Sequence, residues 1–262
     1  GVKPDGTLRI PPTRGAVHGR GSSVEAAKDV RLAADKGNIV LEAAENRFAE
    51  QNSQSSSSAS VGVAFTLGSK NGFSVNVGLS KGKGSGSGES LSHTNTHINT
   101  GGTASVQSGG DTTLKGATIV ADTVKADIGG NLAIESLQDK STYNEKSSSA
   151  GLNVSLCVPP LCYGPSSVGG SAGRTRIDSD YQNVVEQSGI RAGDGGFDVK
   201  VKGDTTLKGG AITSTQVAMD DGKNRFETGG KLITSDIENH AAYDASGWSP
   251  GGSGGFQAGE QS

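Results

Sequence analysis

The strongest constraint on this chain is internal repetition. The heptapeptide GDTTLKG occurs at 110–116 and again at 203–209, an offset of 93 residues. GNIVLE at 37–42 matches GNLAIE at 130–135 with the same offset, and GGNLAIESLQD (129–139) is similar to GGKLITSDIEN (229–239). The repeat implies a module of roughly 93 to 100 residues, present about two and a half times. Such a chain must fold into something that stacks copies of one unit.

A shorter period lies inside the module. GGDTTLK starts at Gly109 and GGNLAIE at Gly129, 20 residues later. Between them Ile119, Ala121, Val124, Ala126 and Ile128 alternate with polar residues. The same grammar appears at Val30, Leu32, a KGN turn, Ile39 and Leu41. It returns at Val199, Val201, Leu207, Ile212 and, after an insertion near QVAMDDG, Leu232. Each unit reads as a short β-run, a Gly/Asn/Asp turn and a second short run. About 20 residues suits one rung of a parallel β-helix, with neighbouring rungs at the usual strand spacing of roughly 4.8 Å. A β-sandwich is the alternative, but it does not predict a near-identical recurrence at 93 residues.

Composition agrees with a narrow, repetitive core. Only 4% of residues are aromatic, while the 42 glycines suit a fold made of tight corners. A net charge of −3 removes the charge half of the disorder signature. The 24 basic and 27 acidic residues form no basic block, which argues against nucleic acid as a partner. No apolar run reaches the ~18 residues of a membrane helix. The chain begins with Gly and carries no leader, so it reads as a segment of something larger.

Two long insertions interrupt the rungs. In the first, QNSQSSSSAS (51–60) leads into strict alternation, with Val61, Val63, Phe65 and Leu67 on one face. SKNG (69–72) reads as a turn. Phe73, Val75, Val77 and Leu79 then alternate with small or polar residues, completing a β-hairpin, and KGKGSGSG (81–88) reads as a flexible linker. In the second insertion Leu152, Val154 and Leu156 alternate, Pro159–Pro160 break the run, and Leu161 and Tyr163 follow, ahead of a Gly/Ser stretch with Arg174 and Arg176. A third insertion begins after Asn239 and runs into GGSGGFQAGEQS, read as mobile. Two readings of the hairpins stand: they cover the flank or edge of the β-helix, or they act as membrane-spanning β-strands, whose length of about 9 to 11 residues and one-sided pattern they share. One hairpin cannot close a barrel, so the second reading needs several.

Other clusters point mainly to structure. Cys157 and Cys162, in CVPPLC, are a candidate local disulfide. His93 and His97 sit i, i+4, but LSHTNTHINT is strand-like, so they read as exposed polar residues near a corner. His18 and His240 have no evident partners. GDGGFD (193–198) occurs once and reads as a turn rather than a calcium repeat. No metal-ligand set, cofactor motif or catalytic triad order appears. Asp111 and Asp204, each four residues before a lysine (Lys115, Lys208), recur once per module, which favours scaffolding over catalysis.

Several stretches together resemble a known family. SSSSASVGVAF, NGFSVNVGLSKGKG, SHTNTHINTGG, GGDTTLKGATI, GGNLAIESLQDKSTY, IDSDYQNVVEQSGIRAGDGGFDVKVKGDTTLKGGAI and NRFETGGKLITSDIEN are similar to the haemagglutinin repeats of large two-partner-secretion exoproteins. That family includes filamentous haemagglutinin adhesins and the CdiA-type effectors of contact-dependent growth inhibition. The resemblance implies a right-handed parallel β-helix exported through an outer-membrane transporter. Within the CdiA-type effectors, repeats with long hairpins look like the region associated with carrying a toxin across the target cell's outer membrane. The cysteine pair is a departure from such proteins, which have few cysteines.

The expectation is therefore an all-β solenoid with long β-hairpin insertions. A lead-in at 1–20 is followed by rungs at 21–44, insertion at 45–100, rungs at 101–146, insertion at 147–187, rungs at 188–240, and a third insertion with flexible tail at 241–262. The expected function is non-catalytic and structural, on the cell surface or secreted, with hairpins that meet a target outer membrane or neighbouring repeats. An adhesin stalk displaying loops to host cells is the alternative.

Overall fold

The computed structural model describes residues 8–10, 15–66, 72–157 and 164–256, and it is almost wholly strand. The chain divides into two units. One comprises Gly1–Arg47, Leu91–Lys140 and Tyr181–His240; the other comprises Phe48–Ser90, Ser141–Asp180 and Ala241–Ser262.

In chain order the strands before and within the first long excursion are β1 (Leu8–Ile10), β2 (Val17–Arg20), β3 (Ser23–Ala26), β4 (Val30–Ala34), β5 (Ile39–Glu42), β6 (Ala44–Thr66) and β7 (Gly72–Thr94). Then follow β8 (Thr96–Thr100), β9 (Thr103–Ser108), β10 (Thr112–Lys115), β11 (Ala117–Ile128) and β12 (Leu132–Glu135). The second excursion is β13 (Asp139–Cys157) and β14 (Ser166–Asn183). The chain continues through β15 (Gly189–Val201), β16 (Thr205–Lys208), β17 (Ala211–Thr213), a short helix α1 (Gln216–Asp220), β18 (Arg225–Thr228) and β19 (Leu232–Ser235). It finishes with β20 (His240–Trp248) and β21 (Gly251–Phe256).

The first unit holds two sheets whose strand pairs are parallel. One runs β2-β5-β10-β12-β16-β19; the other contains β4, β9, β11 and β15 in succession, with β8 and β3 at its side. The chain alternates between them: β9 lies in one, β10 in the other, β11 back in the first, β12 in the second. Each return lands beside the strand it left. Register aligns like with like, so Leu41, Leu114, Ile134 and Leu207 form one column. Leu32, Val106, Ala126, Val199 and Phe226 form another. Alternation sends these side chains inward, and Leu32, Ile39, Leu114, Val124, Ile128 and Ile134 are buried.

The two periods of the sequence have one origin. Successive corner residues Asn38, Asp111, Asn131 and Asp204 lie 73, 20 and 73 residues apart. A plain turn takes 20 residues and a turn carrying a hairpin takes 73, so 93 residues make one of each. GDTTLKG ends in a glycine that must bend. Gly116 has φ +63° and Gly209 φ +58°, a region that favours residues without Cβ.

Three expectations shift at the edges. Thr96–Thr100, assigned to the first insertion, instead pairs in parallel with β11 and β3. Residues 251–256, expected to be mobile, form β21 against β14, because glycine and serine there fit the small-residue face described below. Leu232, expected inside, is 53% exposed because β19 ends its sheet. The QVAMDDG insertion is α1, capped by Thr215, whose hydroxyl accepts from the Ala218 N–H.

Candidate interaction surface

The second unit is one sheet ordered β20-β14-β13-β7-β6, with β21 also on β14. Hairpins from successive modules therefore lie side by side. Each insertion opens with a polar Ser-rich run and closes with a Gly-rich one, both lacking any helical period, and β-pairing is what satisfies their backbones.

Much of one face of this sheet is built from glycine, serine and asparagine, and Tyr143 lies over Gly86 and Gly88 on the same side. The Ser58 and Ser80 hydroxyls are 2.7 Å apart. A Cβ at Gly78 would lie 2.6 Å from Ser60 Oγ and 3.1 Å from Asn153 Oδ1. A Cβ at Gly173 would lie 3.0 Å from Ser149 Oγ and 3.7 Å from Ser249 Oγ. Glycine sits beside the larger residue across several strands, which gives a flat surface. The stretch 81–88, read from sequence as a flexible linker, is part of β7 for this reason.

Alternation puts the apolar residues on the opposite face. Val61, Val63, Phe65, Phe73 and Leu79 are exposed, and Val75 and Val77 are half-buried among their neighbours. Leu152 and Leu156 are exposed and Val154 is half-buried. Leu79 and Leu152 line a shallow groove with Ala59, Ala150 and the stem of Lys81. Val168 on β14 adds to this face, and sequence reasoning missed it because its neighbours are Gly and Ser. Leu67, Leu161 and Cys162 lie outside the described residues. Cys157 is disulfide-bonded, and its Sγ accepts from the Gly164 N–H at 2.9 Å.

The remaining candidates resolve into scaffold contacts. Asp111 and Asp204 accept backbone N–H groups of the next turn, from Asn131 and Lys231, each at 2.7 Å. Asn38 and Asn131 accept in the same way from Asp111 and Asp204, each at 2.8 Å. Lys115 and Lys208 flank Glu135 at 3.6 and 2.9 Å. Burial pushes the Glu135 carboxyl's pKa up, but the Lys208 hydrogen bond and both lysine charges outweigh it, leaving the pKa below its ordinary value.

His93 is not an exposed corner residue. Its side chain is 8% exposed, and both its Nδ1 and its backbone N–H lie 2.9 Å from Asp139 Oδ1. His97 Nε2 lies 2.9 Å from Glu186, which also accepts from Asn95. His18 meets Glu42 at 3.0 Å. These partners are remote in sequence, so local spacing gave no hint of them. GDGGFD lies within β15, and Asp194 there accepts from the Thr215 hydroxyl. Among the described residues no group of three His, Cys, Asp or Glu is placed to hold a metal ion. No helix among them is long and apolar enough to cross a membrane, which says nothing of strands.

Comparison with known proteins decides the family, for the hemagglutinin repeat model matches residues 2–150. The chain belongs to the hemagglutinin repeat family. Curated relatives align with most of the chain. The deoxyribonuclease CdiA of Yersinia pseudotuberculosis is 40% identical over 85% of this chain and 20% of its own length. The tRNA nuclease CdiA of Yersinia mollaretii is 38% identical over 86% of this chain and 7% of its own. The toxin CdiA of Escherichia coli is 38% identical over 86% and 7%. This hemagglutinin repeat chain thus spans a fifth or less of these relatives and is a structural segment of the CdiA and filamentous-haemagglutinin type. No solved structure matches it.

Proposed function

We propose that this chain is a non-catalytic structural and delivery segment of a CdiA-type effector. In this reading the first unit is a right-handed parallel β-helical rod, supported by parallel pairing and by a chain path that alternates between two sheets. The protein is secreted to the cell surface through an outer-membrane two-partner transporter, with a periplasmic stage before delivery. The hairpins meet the target outer membrane, or one another, while a toxin is translocated. Nuclease activity named for the relatives belongs to parts of those proteins outside the matched repeats.

The observation that carries the reading is the two-faced hairpin sheet. Its apolar side holds Val61, Val63, Phe65, Phe73 and Leu79, all exposed. Natural monomers seldom leave such a patch uncovered unless it meets a partner or a lipid. A strand crosses a bilayer in about 9–11 residues, alternating apolar and small or polar. Both arms of the first hairpin have that alternation near the turn. In this reading a Cys157–Cys162 disulfide stiffens the tip of the second hairpin.

Flotation of the 262-residue chain with vesicles of outer-membrane phospholipid tests this. The native chain co-floats; the quadruple variant Phe65→Ser, Leu67→Ser, Phe73→Ser, Val75→Ser stays behind. Equal flotation of the two, with unchanged toxin delivery by a full-length effector carrying the same changes, refutes the membrane role. Cell binding that survives those changes and needs no lipid favours the adhesin stalk.

A further inference from the structure

Among the described residues the hairpin sheet stops at β6. On one side of β6 come β7, β13 and β14 in turn, and no described strand pairs with its outer edge. From Gln51 to Thr66 that edge has no charge and no proline. Sheet edges that face water are normally blunted by lysine, proline or a bulge, because unpaired N–H and C=O groups otherwise recruit another strand. β6 carries neither lysine nor proline along its Ser-rich and apolar length.

The repeat says what fits there. Asn46 and Asp139 are 93 residues apart, so β13 is the counterpart of β6 one module later. β13 has β7 on one side and β14 on the other. The seam between hairpins also occurs twice. Gly78 of β7 faces Asn153 of the next hairpin, and Gly169 of β14 faces Ser253 of the one after it. In each case the second arm of one hairpin pairs with the first arm of the next. β6 is a first arm whose corresponding flank pairs with no described strand.

We propose that the outer edge of β6 is an acceptor site for the second arm of another hairpin of this repeat, bound antiparallel through main-chain hydrogen bonds. The two observed seams fix the register. A strand like β14 would set Gly169 across from Ser60 and Val168 across from Val61. Glycine would again sit beside serine on the flat face, and valine beside valine on the apolar one. Affinity comes from the ladder, and selectivity from the small side chain the flat face requires. This inference is independent of any encounter with lipid, so the flotation experiment has no bearing on it.

The test uses the 262-residue chain and a fluorescent peptide with the sequence of residues 166–183. Saturable one-to-one binding is expected, with every second backbone amide between Gln51 and Thr66 gaining protection from hydrogen exchange. The same peptide carrying Gly170→Pro and Ser171→Pro lacks two adjacent donors, so no register preserves its ladder. It should bind at least about tenfold more weakly. Absence of binding, protection confined to β13 or β20, or equal binding of the proline peptide would overturn the proposal. So would protection of the same β6 amides by concentration-dependent dimerisation without peptide, since the occupant would then be an edge strand of a second chain, β6 or β20, and not a second arm.

Discussion

Asp111 Oδ1 accepts a hydrogen bond from the backbone N–H of Asn131, 2.7 Å away and 20 residues further along the chain. Asn131 Oδ1 does the same for Asp204 at 2.8 Å, and Asp204 Oδ1 for Lys231 at 2.7 Å. A column of Asn and Asp thus satisfies the corner amide of each following turn. Replacing Asp111 with Ala leaves the Asn131 amide without this acceptor. We expect a loss of about 0.5–1.5 kcal/mol in urea unfolding, and a smaller loss for Asp111→Asn, which keeps Oδ1. Equal stability of Asp111→Ala and the native chain would show that water substitutes fully.

Above the same turns runs a column of alternating charge. Arg20 faces Glu42, Glu42 faces Lys115, and Lys115 faces Glu135. The Glu135 carboxyl keeps its charge to lower pH in the folded chain than in the unfolded one, because the lysines outweigh its burial. Its stabilisation is therefore complete above the unfolded value of about 4.3 and fades as pH falls through the lower folded value. The stability difference between the native chain and Glu135→Gln should be flat near neutrality and shrink in acid. A difference that grows in acid would contradict the assignment.

Gly116 tests the bend at the end of GDTTLKG. Its φ is +63°, and a Cβ there would lie 2.7 Å from that of Ala43. Gly116→Ala should cost roughly 1–3 kcal/mol from backbone strain alone. Thermal unfolding monitored by circular dichroism measures this. An unchanged midpoint would mean that the turn relaxes.

Core depth differs along one sheet. Leu114 is fully buried, whereas Leu232 is 53% exposed. Leu114→Ala should cost about 2–5 kcal/mol, and Leu232→Ala well under half of that. Chemical denaturation of the two variants side by side provides the comparison. Similar losses would mean that Leu232 is covered in solution.

The periodicity made most of the first unit legible. Ile39, Leu41, Ile119, Val124 and Ile128 were placed inward by alternation alone, and all are buried. The hairpin arms beyond their apolar tips were not legible. Residues 81–88 and 251–256 read as linker and tail because glycine and serine have low intrinsic strand preference. What makes them strands is the serine or glycine opposite, a neighbour that local sequence does not reveal. The histidine partners Asp139 and Glu186 were hidden for the same reason.

The 93-residue interval also governs how such a protein can change length. Each interval contributes two strands to each parallel sheet and two arms to the antiparallel sheet, because a hairpin has two arms and is carried by every second turn. At the common spacing of about 4.8 Å, both grow by about 9.6 Å per interval. A gene that duplicates or loses whole intervals therefore scales the two in proportion, and unequal recombination within the repeat yields longer or shorter proteins with no redesign of either.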